Sequence, residues 1–169
     1  TGVAKEIHVY PKNTEDKPTV DKFVVKDGKD VKGASFNEGE EHTWAIEAKI
    51  PTGFKDYEFF KLTDKLDTAL TYKAGQTIKV FVKDDESIKL QENTDYTVDA
   101  PKGTEGGDLV VSLTKAGITK LAAAEGKILR AEFVTTINKN AVMGKDIPNG
   151  VELEYGHNPD HKGKTEVDE

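Results

Sequence analysis

An all-β sandwich of immunoglobulin-like topology, with one short helix, is the fold class this sequence predicts. Three observations predict it. Short stretches of period-2 alternation recur along the chain. Polar breaks containing Gly, Pro or clustered charges separate them. A single window, 115–125, carries helix start and stop signals. Many short strands with turns between them pack as two sheets. The 169 residues suffice for one substantial domain or two small ones.

Each element follows from its residues. Residues 1–13 read as a tail carrying one strand, in which Ile7 and Val9 alternate with His8 and Tyr10 until Pro11 stops it. Thr14 to Pro18 is a polar linker. Thr19 to Lys26 alternates, with Val20, Lys22 and Val24 on one face and Phe23 and Val25 on the other. Asp27 to Asp30 is a turn and Glu38 to Glu41 a polar break. His42 to Ile50 is a strand with Trp44, Ile46, Ala48 and Ile50 on one face, ended by Pro51-Thr52-Gly53. Tyr57 to Leu62 is an aromatic-rich strand, and Thr63 to Asp67 reads as the loop after it. Leu70 to Tyr72, Thr77 to Val82, Tyr96 to Val98 and Leu109 to Leu113 are further strands. Thr114 can cap a helix from Lys115 to Glu125, with Gly126 as its stop. Lys127 to Ile137 is the longest strand, with Ile128, Arg130, Glu132, Val134 and Thr136 on one face. Asn138 to Asn149 reads as a loop, Val151 to Tyr155 closes the core, and Gly156 to Glu169 reads as a polar, mobile tail.

Composition narrows the function classes. Hydrophobic residues are 36% and charged residues 33% of the chain, with a net charge of −7, which argues against nucleic acid as a partner. No apolar run approaches the length of a membrane span, so no membrane insertion is expected of this stretch. Cysteine is absent, which excludes a disulfide framework and thiolate metal sites. His157 and His161 are four apart, but Pro159 argues against a helix that would align them on a metal. The acidic turn Lys83 to Glu86 lacks the spacing of a calcium loop, and no hydrolase motif is present. No cofactor is expected, and a hydrolase reading has little support.

Two lysines stand out. Lys12 follows Pro11, just past a strand end on a segment that does not easily fold inward; it is either a solvated charge or an amine held out as a substrate. Lys22 shares a face with Val20 and Val24. It either snorkels at the rim or is buried, in which case desolvation favours the neutral, nucleophilic amine.

The run Val9-Tyr10-Pro11-Lys12-Asn13 resembles the pilin motif of the backbone (major) pilins of Gram-positive, sortase-assembled pili. Ile50-Pro51, Phe60 to Tyr72 and Pro148 to Tyr155 resemble the isopeptide-forming domain of those pilins, which has a collagen-adhesin A-type (CnaA) immunoglobulin fold; the likeness runs from about Thr19 to Pro159. The resemblance implies three parts. Residues 1–18 are a pilin-motif tail and linker from a preceding domain, 19–159 the isopeptide-forming domain, and 160–169 a polar tail or linker. It implies that Lys12 is the acceptor amine that a class C sortase joins to the C-terminal threonine of the next subunit. Partners would be other copies of the same pilin, that sortase, minor pilins and host matrix, in an extracellular, cell-wall-anchored pilus. It further implies a self-formed amide between Lys22 and Asn149, assisted by a buried Asp64, in a single self-modifying turnover, so that the chain is not an enzyme in the usual sense. Asp67 and Glu132 are rival acids, Asn138 a rival amide and Lys26 a rival amine. A surface adhesin domain that binds host matrix protein is the alternative role. With no first domain, sorting signal or glutamate box in view, the sequence is expected to be a piece of a longer protein.

Overall fold

The computed structural model describes residues 3–4, 18–142, 147, 149–156 and 163–167, and of residues 3–4, 149 and 163–167 the backbone alone. The described strands are β1 (Val3–Ala4), β2 (Val20–Lys26), β3 (Lys29–Val31), β4 (Phe36–Asn37), β5 (Glu41–Lys49), β6 (Phe59–Leu66) and β7 (Leu70–Tyr72). They continue with β8 (Lys79–Val82), β9 (Tyr96–Asp99), β10 (Gly107–Leu113), β11 (Ile128–Ile137), β12 (Asn149–Gly156) and β13 (Gly163–Val167). One helix, α1 (Lys115–Leu121), lies between β10 and β11.

Two antiparallel sheets face each other. The first has the order β3-β2-β5-β11-β7, with β8 also paired to β11; the second has the order β13-β12-β6-β10-β9. The predicted all-β, immunoglobulin-like sandwich with one short helix is the fold observed. Alternation explains the core. Val20 and Val24 from β2, Trp44, Ile46 and Ala48 from β5, and Leu129, Ala131, Phe133 and Ile137 from β11 are buried. Phe60, Leu62 and Leu66 from β6, Leu109 and Val111 from β10, and Val151 and Leu153 from β12 are buried with them. The strand β2 packs against β12 and β13, so the first strand of the sandwich meets its last two.

The strand β11 has two successive partners on one edge. It pairs with β8 along Leu129–Glu132 and with β7 along Thr135–Ile137. Between them the Gln76 side chain acts as a substitute strand: its Nε2 donates to the Val134 carbonyl at 2.7 Å and its Oε1 accepts from the Val134 N–H at 2.7 Å. Thr114 caps α1, its Oγ1 accepting from Gly117 N–H at 3.1 Å. Gly117 is required by a close approach, since a Cβ there would lie 2.0 Å from the Asp95 carbonyl oxygen.

Several elements differ from the sequence reading. Thr63 to Leu66 is not a loop but the second half of β6, because β10 and β12 flank this stretch on both sides and take up its backbone hydrogen bonds. Residues 163–167, expected within a polar tail, form β13 and pair with β12 from Val151 to Tyr155. The helix is shorter than expected and ends in a 3-10 turn, Ala122–Ala124, before Gly126 at φ 84°. In β11 the inward face is Leu129, Ala131, Phe133, Thr135 and Ile137, while Glu132, Val134 and Thr136 are only half-buried. The strand expected around Ile7 and Val9, Lys12 with its motif, and His157 and His161 lie outside the described residues.

Candidate functional site

Strand β2 places Lys22 between Val20 and Val24 on its inward face, and Lys22 is fully buried at 0% exposure. Strand β6 places Asp64 on the inward face of the opposite sheet, also at 0% exposure. The two side chains meet across the core, with Lys22 Nζ donating to Asp64 Oδ2. Asp64 Oδ1 is buried and has no hydrogen-bond partner among the described groups. An unpaired buried carboxylate oxygen is costly, so this position favours a partner or a proton.

Burial sets the protonation. Desolvation pushes the Lys22 amine down to about 8, against the opposing pull of Asp64. Desolvation likewise raises the Asp64 carboxyl, against the opposing pull of Lys22. Both shifts point toward a neutral amine beside a neutral acid. Aromatic rings wall the amine: Nζ lies 4.6 Å from the Trp44 ring centroid and 5.8 Å from that of Phe133.

The backbone brings Asn149 to the same region. Along β12, Val151 stands opposite Asp64 and Asn149 opposite Leu66, so Asn149 is two residues from the Asp64 register and in phase with buried Val151 and Leu153. The Asn149 side chain lies outside the described atoms.

The rival residues have partners elsewhere. Asp67 accepts from the Ala69 N–H at 2.8 Å, an Asx turn at the end of β6. Glu132, on the outer face of β11, accepts from Arg130 Nε at 2.7 Å. Asn138 donates to the Thr68 carbonyl at 2.9 Å and to Thr71 Oγ1 at 3.0 Å. Lys26 is exposed and donates to the Ser35 carbonyl at 3.2 Å. In the acidic turn, Asp85 is engaged by Ser87 and by Lys127.

A polar cluster that the sequence reading passed over adjoins Lys22. Trp44 Nε1 donates to Thr135 Oγ1 at 2.7 Å, and that oxygen lies 2.8 Å from His42 Nε2. All three residues are buried. A signal was available: His42 is in phase with Trp44 and Ile46 in β5, and Thr135 with Phe133 and Ile137 in β11, so each is a polar residue at an inward position.

Similarity to known proteins is consistent across sequence and structure, although no family model matches the chain. The fimbrial subunit type 1 of Actinomyces viscosus is 28% identical over 148 residues, covering 78% of this chain and 26% of that protein. A 35 kDa C-terminal fragment of the major pilin GBS80 of Streptococcus agalactiae superposes with TM-score 0.69 at 26% identity, covering 89% of this chain and 54% of that one. The full-length major pilin RrgB of Streptococcus pneumoniae gives TM-score 0.63 at 31% identity, covering 94% of this chain and 26% of that one. These relatives are fimbrial subunits and major pilins of Gram-positive pili. The resemblance read from the sequence is therefore borne out. The chain spans about a quarter of the curated pilin relative and of the full-length pneumococcal pilin, and about half of the streptococcal fragment.

Proposed function

We propose that this chain is a domain of a shaft subunit in a covalent, extracellular, wall-anchored pilus, stiffened by a self-formed amide between Lys22 and Asn149. The observation that carries the proposal is the buried contact of Lys22 with Asp64, between sheets and beside the backbone of Asn149. A lysine and an aspartate with no access to water are poorly suited to solvation or ligand capture. They suit one reaction between fixed neighbours.

In that reaction the neutral Lys22 amine attacks the side-chain carbonyl carbon of Asn149. Protonated Asp64 donates a hydrogen bond to the carbonyl oxygen as the tetrahedral centre forms. A new C–N bond to Lys22 Nζ forms and the bond to Asn149 Nδ2 breaks. One proton passes from Nζ through the Asp64 carboxyl to Nδ2, which leaves as ammonia. Nothing is oxidised or reduced, and the chain turns over once.

The shaft role rests also on Lys12, which we infer to be the acceptor amine that a class C sortase joins to the C-terminal threonine of a second copy. The pilin relatives support this reading, as does the sequence around Pro11. The cross-linked domain begins near residue 19, with 1–18 leading into it. Its second sheet is completed by β13, so the folded unit extends past residue 159.

The intact mass of the denatured chain tests the amide. A deficit of one ammonia, with fragmentation locating a branched peptide at Lys22 and Asn149, is the expected result. The full calculated mass would remove the cross-link.

A further inference from the structure

Lys22 needs more than burial to react: its four-carbon stem must hold Nζ beside Asp64, aimed at the carbonyl carbon it attacks. The Trp44 ring faces Nζ, its centroid 4.6 Å away. An indole is fixed in a core by packing and by its N–H, which can only donate. Here the N–H donates to Thr135 Oγ1 at 2.7 Å. Thr135 is fully buried, and the acceptor in reach of its own hydroxyl hydrogen among the described groups is His42 Nε2, at 2.8 Å. Trp44 Nε1 therefore donates to Thr135 Oγ1, and Thr135 Oγ1 shares a hydrogen bond with His42 Nε2. The His42 ring is itself fixed, stacked on Phe36 at 4.7 Å and edge-on to Trp44 at 5.2 Å.

We propose that Thr135 and His42 are positioning residues for the amide-forming step, holding the Trp44 indole against Lys22 Nζ through the chain Trp44 Nε1–Thr135 Oγ1–His42 Nε2. This rests on the Lys22–Asn149 cross-link proposed above. Neither residue touches the reacting atoms; both act through Trp44. A neutral His42 ring is consistent with the site, because burial holds it down at about 4.

The test follows the whole chain during cell-free synthesis, quenched in acid at timed points, with intact mass reporting the fraction that has lost ammonia. Trp44 is the sole tryptophan, so its emission reports the indole directly. Thr135→Val keeps the shape and removes the hydroxyl; it is expected to slow ammonia loss about tenfold, the scale of a sub-ångström misplacement of a reacting group, and to shift the tryptophan emission. Thr135→Ser restores both. Should Thr135→Val fail to fold, His42→Phe, which keeps the stacking on Phe36 and removes Nε2, is expected to slow the reaction likewise. Ammonia loss at the wild-type rate in a folded Thr135→Val or His42→Phe chain overturns the proposal. So does a Thr135→Ser chain as slow as Thr135→Val, since packing and not the hydroxyl would then be at work. A wild-type chain that keeps its ammonia instead overturns the cross-link itself, and the positioning role with it.

Discussion

Lys22 and Asp64 are 42 positions apart in sequence and touch at the centre of the sandwich, one from each sheet. Both are fully buried, and each is pushed by burial toward its uncharged form. Replacing such a pair with hydrophobic residues of similar size is often neutral or stabilising. Its presence in the core is better explained by chemistry than by stability.

Loss of Asn149 should reveal what the cross-link contributes. The amide would close a loop of 127 residues (149 − 22). Loops of that length gain about 4–5 kcal/mol in the chain-entropy model. Asn149→Ala leaves the Lys22–Asp64 contact in place, so its melting temperature is expected to fall by about 10–20 °C, at a few degrees per kcal/mol for a chain of this size. Calorimetry on both proteins measures it, and equal midpoints would mean that no such bond stabilises the fold.

Asp64→Asn preserves the size of the side chain but cannot shuttle a proton. The variant is expected to fold and to retain its ammonia, so its intact mass should show no deficit and its melting temperature should approach that of Asn149→Ala. A full ammonia deficit in Asp64→Asn would assign the proton transfer to another group.

Lys12→Ala should separate polymerisation from folding. Lys12 precedes the first strand of the sandwich, so the melting temperature and the ammonia deficit are expected to be unchanged. In a sortase reaction with the full-length pilin, the high-mass ladder on a denaturing gel should disappear. A persisting ladder would move the acceptor amine to another lysine.

Stability should depend on pH through His42. Its folded-state value is about 4 against an ordinary 6.5, because burial disfavours the charged ring. The stabilisation is complete above 6.5. As pH falls below that, the unfolded chain takes up a proton that the folded chain refuses, and the contribution is lost progressively down to about 4. The full loss is about 3 kcal/mol by the linkage between pKa and free energy. Glu40 opposes this shift through its backbone and its charge, and Lys22 carries no charge on the ring once it is in the proposed amide. Urea midpoints at pH 7 and pH 4.5 for wild type and His42→Phe measure the effect: wild type should lose more stability on acidification. Parallel losses would place the pH dependence elsewhere.

Much of the fold was legible in alternation. The inward phase of β2 put Lys22 beside Val20 and Val24, and the structure buries it there. The phase of β5 put Trp44, Ile46 and Ala48 on one face, and all three are in the core. The cap at Thr114 was legible because an N-cap bond is local. The second half of β6 was not. Thr63-Asp64-Lys65-Leu66-Asp67 has the composition of a loop, and only flanking strands on both sides make Thr63 to Leu66 a ladder. Strand β13 was missed for a similar reason: Gly163 to Val167 lacks an apolar face, and its strand character comes from pairing with β12.

By itself the sequence determined the sandwich class, the phase of each well-patterned strand, the lysine at an inward position and the likeness to shaft pilins. All of these depend on residue order within a few positions or on short motifs. Only the tertiary structure decided which carboxylate meets Lys22. Asp64, Asp67 and Glu132 are all within a strand or at its end, and their local patterns do not rank them. The pairing of β6 with β12 in one sheet and of β2 with β5 in the other, and the packing of the two sheets, turn Asp64 inward onto Lys22, while Asp67 stays in its turn and Glu132 meets Arg130 on the outer face. The Trp44–Thr135–His42 chain has the same origin. It links residues 91 and 93 positions apart, and contacts at that separation are set by how strands pair, which no local stretch of sequence encodes.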